Sequence, residues 1–518
     1  MKLEVDIRVK LGESLEHKLK SLGLPISFEI VRKSLDARKR PEFHYRLMFD
    51  LPENLAGKFI DEKIAKPYKP VEELKIPFLS KSVKVAVIGS GPAGLFAAYV
   101  LAKGGAEVTV FERGKVVEER ERDVQKFWMK RELDENSNVQ FGEGGAGTFS
   151  DGKLTTRVKD RKKNFIYRVF VEHGAPEEIL YLSKPHIGTD GLKKIIPSFR
   201  KALDVLGVKF NFSSFIYDME ADSRVKLFYQ DLFTGEKFSK EFDDIVVAVG
   251  NSARDTFLML KNRGFQLVAK PFAVGVRIAH PQRLINKMQY GKFCEDTILP
   301  PADYSITAKF GSRGVFSFCM CPGGVVICSS SEKNTVVSNG MSNFAREGVM
   351  ANSAIVVQVF PEDFENNPFK AIEFQRKLER EAFISAGYDY AMPAQNLMDF
   401  LEDNETSVRN LPKYGFIPEI SPVRFDRLMP SFITIALKAA FNHWQKRLRL
   451  FVSDEATLIG VETRTSSPVK ILRDKNYLAV GFSNVYPAGE GSGYAGGITS
   501  SAIDGVNVAL SILEKYSR

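Results

Sequence analysis

Long apolar runs and cysteines are both scarce in this chain of 518 residues. No apolar run is long enough to span a bilayer, and the alternating start, MKLEVDIRVK, lacks the apolar core of a signal peptide. Four cysteines in so long a chain do not make a disulfide framework, which is typical of a reducing compartment. The histidines are scattered, and no set of His, Cys or acidic residues has metal-ligand spacing. The sequence therefore predicts a cytoplasmic protein without a membrane span or a metal site.

The composition is that of an ordinary globular protein with a basic balance. Hydrophobic residues make up 44% and charged residues 26%, and the length suits two or three domains. The formal net charge is +9, and basic residues bunch at 32–40 and 157–163. Neither run is interleaved with aromatic residues or belongs to a nucleic-acid-binding module. Both runs are typical of solvated turns, and they give little support to a nucleic acid as partner.

The most informative segment is 84–113, KVAVIGSGPAGLFAAYVLAKGGAEVTVFER, which predicts a strand, a turn, a helix and a second strand. Its turn, Gly89-Ser90-Gly91-Pro92-Ala93-Gly94, has the GxGxxG spacing of dinucleotide-binding units. In such units the first glycine makes a tight turn, the second admits a pyrophosphate, and the third packs the helix against the strand. The phosphate is expected at the helix N-terminus, where free N–H groups and the helix dipole favour an anion.

An acidic residue ends the second predicted strand. Glu112 lies 23 residues after Gly89 and is followed by Arg113. From this position a carboxylate binds both ribose hydroxyls and repels a 2′-phosphate. The unit predicts a dinucleotide but does not separate FAD from NAD.

Two later segments favour FAD. Residues 477–505 predict a strand that delivers Gly489-Glu490, a loop of small residues, and a helix that starts near Gly497-Ile498. In flavoproteins with this organisation the acid holds the ribityl chain, and the helix N-terminus stabilises negative charge at N1 and the C2 carbonyl of the reduced flavin. Residues 244–250, DIVVAVG, predict the short strand and the turn at Gly250 that such proteins place between the two flavin-binding ends. The three segments together predict FAD.

The order of the predicted elements divides the chain into three parts. Residues 1–75 predict a small α+β domain of ferredoxin-like type, which has no cysteine for a cluster. Residues 82–265 and 471–518 predict an α/β, Rossmann-like FAD-binding domain. Residues 266–470 predict an inserted α+β domain, β-rich first and helical later, at the point where flavoenzymes of this plan hold the substrate.

Five further blocks of sequence are long enough to be specific. They are residues 138–154 (NVQFGEGGAGTFSDGKL), 271–278 (PFAVGVRI), 318–324 (FCMCPGG), 339–342 (NGMS) and 462–468 (ETRTSSP). With these blocks the chain resembles, over its whole length, the FAD-dependent oxidoreductases described as uncharacterised NAD(FAD)-utilising dehydrogenases. The family pattern has an acid before His280, where this chain has Ala279. The resemblance implies a well-marked flavin site and names no substrate.

The glycine-rich loop 142–152 belongs to the first of these blocks. Such a loop can press main-chain amides against a flat ring or a phosphate, and in related flavoproteins it passes the flavin. A flexible surface loop is the alternative. The predicted cofactor-binding residues are Gly89, Gly91, Pro92, Ala93, Gly94, Glu112, Arg113, Gly145, Gly147, Thr148, Ser150, Ile216, Gly250, Gly489, Glu490, Gly497 and Ile498.

Three basic residues are the predicted catalytic residues. Lys153 can place a cation near flavin N5 or a substrate anion, with a solvated side chain as the alternative. Arg277 lies on an alternating strand, and Arg464 lies in a polar run between apolar strands. Either guanidinium can bind a carboxylate or phosphate in bidentate fashion, with an internal salt bridge as the alternative. His186 and His280 are candidate general acids, although satisfied structural histidines are favoured.

Cys319 and Cys321 form a CxC pair on a predicted buried strand. Their spacing puts both sulfurs on one face, where a bridge is strained. Buried packing thiols are therefore favoured over a flavin-linked redox dithiol.

Two classes of function agree with the sequence, and a third stays open. The first is an oxidoreductase in which FAD passes hydride or electrons between a pyridine nucleotide and an organic, anionic small-molecule substrate. Because only one complete GxGxxG unit is present, NAD(P)H as electron donor must visit the flavin transiently. The second is a flavin-dependent RNA-modifying or RNA-binding protein, suggested by the basic balance. The third is a flavin redox sensor without turnover.

Overall fold

The fold is built from six β-sheets and the helices that pack on them. It is known from a computed structural model, which describes residues 1–70, 72–156 and 158–517. Arg157, the first residue of the basic run 157–163, and Arg518, the end of the predicted FAD domain, lie outside the described residues. Among the described residues, no helix combines the length and apolarity that crossing a bilayer requires.

The N-terminal part has its own four-stranded antiparallel sheet. Its elements are β1 Lys2–Lys10, α1 Leu15–Ser21, β2 Glu29–Asp36, β3 Glu42–Asp50, α2 Glu53–Asp61 and β4 Ala65–Pro67. The strands lie in the order β2-β3-β1-β4. The alternation of β1 buries Leu3, Val5, Ile7 and Val9 in a core shared with both helices. The elements follow one another as strand, helix, strand, strand, helix and strand, and the ferredoxin-like type stays a prediction.

The second part contains the predicted strand, turn, helix and strand. Its elements are β5 Lys84–Ile88, α3 Pro92–Lys103, β6 Glu107–Phe111, α4 Val117–Lys130, α5 Lys162–Glu172, α6 Gly188–Val205, β7 Lys209–Asn211, β8 Ser214–Ala221, β9 Val225–Asp231, β10 Lys237–Phe242, β11 Asp244–Val247 and α7 Arg254–Asn262. A hairpin with its turn at Thr234-Gly235 joins β9 to β10. A second reversal at 222–224 adds β8, so this segment is a three-stranded sheet in the order β10-β9-β8.

The third part carries a seven-stranded mixed sheet. Its elements are β12 Leu267–Ala269, β13 Phe272–Pro281, α8 Gln282–Tyr290, β14 Thr307–Phe310, β15 Arg313–Cys321, β16 Val325–Cys328, β17 Ser338–Met341, β18 Met350–Val359, α9 Pro368–Ser385, β19 Met392–Asn396, α10 Leu397–Leu401, β20 Phe416–Ile417, β21 Ile420–Pro422, α11 Phe425–Leu428, α12 Ser431–Gln445, β22 Thr457–Glu462 and β23 Val469–Ile471. The large sheet has the order β14-β15-β18-β13-β22-β19-β21, and β16, β17 and β20 form a small separate sheet. The strands β13 and β18 are almost fully buried, which places the largest apolar core here.

The C-terminal elements return the chain to the second part. They are β24 Val485–Pro487 and α13 Ile498–Ser517. Five strands form a parallel sheet in the order β24-β11-β5-β6-β7. The helix α13 packs closely on α3, since a Cβ on Gly505 would lie 2.0 Å from the Ala93 carbonyl oxygen. The result is the mixed α/β, Rossmann-like fold with a parallel sheet that the sequence predicts. Since β12 and β23 pair as antiparallel neighbours, the chain leaves and re-enters this region at one place.

Candidate active site

A cavity of about 420 Å³ lies at the carboxyl ends of β5, β11 and β24 and extends to β15, β17 and the segment after β22. In open α/β sheets this is the edge where ligands bind. The predicted residues that line it are Gly89, Gly91, Pro92, Ala93, Glu112, Arg113, Gly145, Gly147, Ser150, Lys153, Ile216, Gly250, Arg464, Gly489, Glu490, Gly497 and Ile498. The fold thus brings residues from distant parts of the sequence to one site. Their individual contacts with a cofactor stay predictions.

The glycine turn after β5 is shaped by close packing on two sides. Gly89 has φ +100°, and a Cβ there would lie 2.4 Å from the Ala248 carbonyl oxygen. Gly94 does not line the cavity. It packs against the turn instead, so closely that a Cβ on it would lie 1.9 Å from the Gly89 carbonyl oxygen. Gly94 therefore packs α3 against the turn, as the motif predicts. Gly91, the N-cap of α3, has open space beside it. A Cβ on Gly91 would have only one atom within 4 Å, the Cα of Gly145 at 3.8 Å.

Glu112 holds the turn and the neighbouring loops together. The N–H and hydroxyl of Ser90 donate to one carboxylate oxygen at 2.9 and 2.8 Å. The N–H groups of Gly114 and Gly142 donate to the other at 2.9 and 3.1 Å. These four donors use the acceptor capacity of the carboxylate. The sequence predicts that Glu112 binds both ribose hydroxyls. In the structure a ribose hydroxyl must first displace one of these donors from the carboxylate. The Ser90 hydroxyl is the donor that can rotate away.

Arg113 forms a wall of the cavity beside Glu112. Its Nη2 donates to Asp255 at 2.8 Å. The guanidinium lies over two aromatic rings, 4.7 Å from the centroid of Phe141 and 4.4 Å from that of Phe215. The two cation–π contacts and the bond to Asp255 hold the side chain in the cavity wall.

The glycine-rich loop 142–152 is not a flexible surface loop, because a buried arginine ties it down. Arg120 of α4 is fully buried, and its guanidinium donates to the carbonyl oxygens of Asn138, Val139, Glu143 and Gly145 at 2.7 to 3.0 Å. The N–H of Gly144 donates to the Ser90 carbonyl at 3.0 Å, so the loop also crosses the glycine turn. The loop therefore presents a fixed surface to the cavity.

Thr148 is a correction within this loop. The sequence predicts that it contacts the flavin, but it does not line the cavity. Its carbonyl accepts from the Thr189 hydroxyl at 2.7 Å, and its own hydroxyl lies 3.5 Å from the Glu143 carbonyl. The short 3-10 turn Ala146–Phe149 directs this side chain inward to the protein, where it holds the loop against α6.

The C-terminal wall of the cavity is formed after β24. The carboxylate of Glu490 accepts from the amide of Asn251 at 2.9 Å, and burial raises its pKa to about 7. The N–H of Gly489 donates at 2.7 Å to Asp504, which pairs with Arg473. Ile498 begins α13, so free N–H groups of this helix face the same cavity.

Arg464 lines the cavity with a guanidinium that is already paired. Its Nη2 donates to Glu379 at 2.8 Å, and its Nη1 donates to Ser252 and Ser331. Glu379 is fully buried and also binds Arg254. Burial alone would raise the pKa of Glu379, but the two arginines hold it well below its usual range. The internal salt bridge that the sequence left open for Arg464 therefore coexists with a place in the cavity wall.

Arg277 is a second correction, because it does not reach the cavity. It is fully buried, and its Nη1 donates to Glu462 at 2.9 Å. Its Nε donates to Asn352 at 2.8 Å and its Nη2 to the Cys319 carbonyl at 2.7 Å. With every face of the guanidinium occupied, no group remains for a substrate carboxylate. The prediction of Arg277 as a substrate anchor is therefore wrong, and Arg277 supports the wall that Glu462 and Cys319 form.

Several residues that line the cavity are not among the predicted site residues. They include Gln140, Phe215, Asn251, Ser252, Phe318, Ser338, Asn339 and Glu462. Cys319, which the sequence offers only as part of a less favoured redox dithiol, lines the cavity as well. Some follow directly from motifs, since Gln140 lies in the block before the glycine-rich loop and Asn251 comes after Gly250. Those from β15 and β17 lie in or beside the blocks 318–324 and 339–342, but no local pattern shows that they line a cavity, because strand pairing far along the chain brings them to this site.

The two candidate histidines lie outside the cavity. Nε2 of His280 is 2.8 Å from the Phe451 carbonyl, and burial lowers the pKa of this fully buried ring to about 4. Nε2 of His186 is 2.9 Å from the Phe344 carbonyl, and its ring stacks on that of Phe344. Both are structural histidines, as the sequence favours.

Two family descriptions match this chain side by side. Residues 83–254 match the family described as pyridine nucleotide-disulphide oxidoreductase. Residues 271–465 match the family described as FAD-dependent protein, C-terminal domain-like. A protein of Clostridium beijerinckii, described as uncharacterized, is 39% identical over 533 residues, which cover 100% of this chain and 98% of that protein.

Solved structures that are similar to this chain are distant. A flavoprotein/dehydrogenase from Cytophaga hutchinsonii is 12% identical with a TM-score of 0.35, over 84% of this chain and 79% of that one. The glycerol-3-phosphate dehydrogenase from Bacillus halodurans, complexed with FAD, is 10% identical with a TM-score of 0.36, over 84% and 66%. Scores this low establish nothing about function. The full-length relative, which is itself described as uncharacterized, adds no function either. The two family matches do: the chain belongs to the FAD-dependent oxidoreductases, and FAD is its cofactor.

Proposed function

We propose that the protein is a dehydrogenase or reductase that transfers hydride or electrons between FAD and a small anionic substrate, with NAD(P)H as a transient electron donor. One observation carries the proposal. One cavity is lined both by the glycine turn and by the two basic residues Lys153 and Arg464. A cofactor and a small substrate would therefore share one cavity.

The cavity residues of the glycine turn, together with Glu490 and the N-terminus of α13, fit FAD. Gly91 leaves open the space that a side chain would fill, and as N-cap of the twelve-residue α3 it lies where free N–H groups hold a pyrophosphate. Glu490 would accept a hydrogen bond from the ribityl chain, and the N-terminus of α13 would face the ring. When bound, FAD supplies a carrier for two electrons.

Lys153 is the cation best placed to hold an anionic substrate. Its Nζ is shielded from solvent and has no hydrogen-bond partner among the described residues. Asp151 lies 3.5 Å away, but Arg346 and Ser342 already bind that carboxylate. An ammonium group without a partner in a shielded site favours an incoming anion. Arg464, whose charge Glu379 balances, would orient the substrate rather than attract it.

The division of the chain is part of the proposal. We assign residues 1–75 to a small N-terminal domain, 82–265 with 471–518 to the FAD domain, and 266–470 to an inserted substrate domain. The pairing of β12 with β23 supports this division, because both connections to the third part run side by side. The family matches to 83–254 and 271–465 meet at the same boundary.

The first experiment is an anaerobic titration of the FAD-loaded protein with NADH and with NADPH, followed by the flavin spectrum. Rapid bleaching with either nucleotide would support the oxidoreductase. A flavin that stays oxidised with both would contradict NAD(P)H as donor and favour a redox sensor or an RNA-directed protein.

The second experiment tests the substrate side. Small carboxylates and inorganic phosphate should perturb the flavin spectrum of the wild type, and Lys153→Met should weaken this effect by about tenfold or more. Lys201→Met, which removes an exposed lysine from α6, should leave the effect unchanged. Equal responses of the two variants would remove Lys153 from the proposed site.

A further inference from the structure

One wall of the cavity contains sulfur. Cys319 lines the cavity, and Cys321, two residues further on, is fully buried. The region 83–254, which matches pyridine nucleotide-disulphide oxidoreductases, contains no cysteine at all. The only two cysteines of the chain that lie two positions apart are on β15, where Cys319 lines the cavity and Cys321 lies just behind its wall.

A β-bulge places Cys319 at the cavity. Phe318 pairs with Ala354 and Cys321 pairs with Asn352, so three steps along β15 oppose two along β18. Cys319 lies in the bulge, and it has φ +45°, which a residue with a side chain rarely adopts. The bulge breaks the ordinary alternation of the strand. The packing role that the sequence favours for both cysteines holds for Cys321 but not for Cys319.

Positive charges surround the two thiols. Lys153, whose Nζ has no hydrogen-bond partner among the described residues, lines the same cavity, and Arg277 Nη2 lies 4.0 Å from Cys321 Sγ. Cys321 Sγ is itself 3.4 Å from the carbonyl oxygen of Cys319. The neighbouring Cys321 thiol, together with the charges of Lys153 and Arg277, holds the pKa of Cys319 below its ordinary value. A cysteine in a cavity wall next to cations is in the arrangement of a reactive cysteine.

We propose that Cys319 and Cys321 are a redox-active dithiol that exchanges two electrons with the flavin. In the oxidising direction, the Cys319 thiolate and the Cys321 thiol form an S–S bond. They lose two electrons and one proton, which the oxidised flavin takes up; the reverse step reduces the disulfide. A bridge between residues separated by one position closes a small ring, and strained bridges of this kind are readily reduced. The inference rests on the proposed function only in that the flavin occupies the cavity.

The first test needs no variant. The FAD-loaded full-length protein is equilibrated with mixtures of reduced and oxidised dithiothreitol, and free thiols are then alkylated and located by peptide mass. We expect Cys319 and Cys321 to lose and regain alkylation together, while Cys294, which lies outside the cavity, stays alkylated. Independent alkylation of Cys319 and Cys321 in every mixture would overturn the proposal.

The second test asks whether the pair reaches the flavin. Dithiothreitol should bleach the flavin of the wild type under anaerobic conditions, and Cys319→Ser should slow this bleaching by about tenfold or more. Cys294→Ser is the matched control, in which the rate should not change. Equal rates in all three proteins would refute electron exchange with the flavin. NAD(P)H reduction of the Cys319→Ser protein is measured separately, so a failure of the dithiol and a failure of the proposed function are distinguished.

Discussion

Arg277 and Glu462 form an ion pair with an N–O distance of 2.9 Å, sealed from solvent where β13 faces β22. Only the carboxylate side of the pair reaches the cavity, since Glu462 lines it and Arg277 does not. Burial would lower the pKa of Arg277, but Glu462 more than compensates and raises it above its ordinary value. The guanidinium is thus a permanent charge that holds the cavity wall, and it is not available to a substrate.

Arg277→Met should strongly destabilise the protein. The substitution leaves the Glu462 carboxylate buried without its cation, which costs about 3–5 kcal/mol. We expect a corresponding fall in the free energy of unfolding, measured with urea. Adding Glu462→Gln to the same protein should restore part of the loss, because the neutral amide needs no counter-charge.

Arg464→Met is the matched comparison and should cost less. After this substitution Glu379 still has Arg254, which donates to both of its oxygens. A loss of stability as large as that of Arg277→Met would mean that Arg464, too, is mainly a structural cation.

Gly91→Val should prevent FAD binding without preventing folding. A side chain at this position enters the cavity, and the backbone, with φ −73° and ψ −178°, accepts valine. The measurement is the ratio of flavin to protein after purification, together with a circular dichroism spectrum. Gly94→Ala is the control for a packing glycine and should lower stability instead. A folded Gly91→Val protein that retains stoichiometric FAD would overturn the placement of the pyrophosphate.

Glu112→Ala should lower both FAD affinity and the stability of the apoprotein. The carboxylate accepts three backbone N–H groups, so its removal leaves buried donors without partners, at a cost of about 1–3 kcal/mol. The sequence alone predicts only a contact between Glu112 and the ribose, and the hydrogen bonds add a structural role. Urea unfolding of the apoprotein and FAD titration measure the two effects. Unchanged apoprotein stability would show that the loops do not depend on Glu112.

Glu490 should make the apoprotein less stable as the pH rises. Burial raises its pKa to about 7 in the folded protein, from 4.5 for an ordinary glutamate. Between these values the folded state binds more protons than the unfolded state, so stability is complete below about pH 4.5 and is lost as the pH rises through 7. The loss is on the order of 3 kcal/mol. Glu490→Gln should remove this part of the difference between urea unfolding at about pH 5 and at about pH 8; an unchanged difference would contradict the assignment.

Features encoded by neighbouring residues could be predicted from the sequence. The strand β5, the glycine turn, α3 and β6 follow from apolar runs and glycines within thirty positions, and the structure has them as predicted. Gly489 and Ile498 were also identifiable, because a strand, a small-residue loop and a helix follow one another there.

Features that depend on pairing between distant strands could not be predicted. Whether Arg277 faces a cavity or a carboxylate is decided by β22, nearly two hundred residues later. The position of Cys319 depends on a bulge that exists only opposite β18. Local alternation correctly marks these residues as strand residues but does not show which face meets the cavity.

The hydrogen bonds from Arg120 to carbonyl oxygens in and before the glycine-rich loop affect how fast the cofactor associates. A loop with five glycines loses much conformational entropy when it becomes ordered. If ligand binding orders the loop, this entropy cost makes the binding free energy less favourable. Here the buried Arg120 guanidinium already holds the loop by its carbonyl oxygens, so the loop becomes ordered when the chain folds and before the cofactor binds. The apoprotein should therefore show slow amide hydrogen exchange over 142–152, and the cofactor should dock onto a preorganised surface at a rate set mainly by diffusion rather than by loop closure.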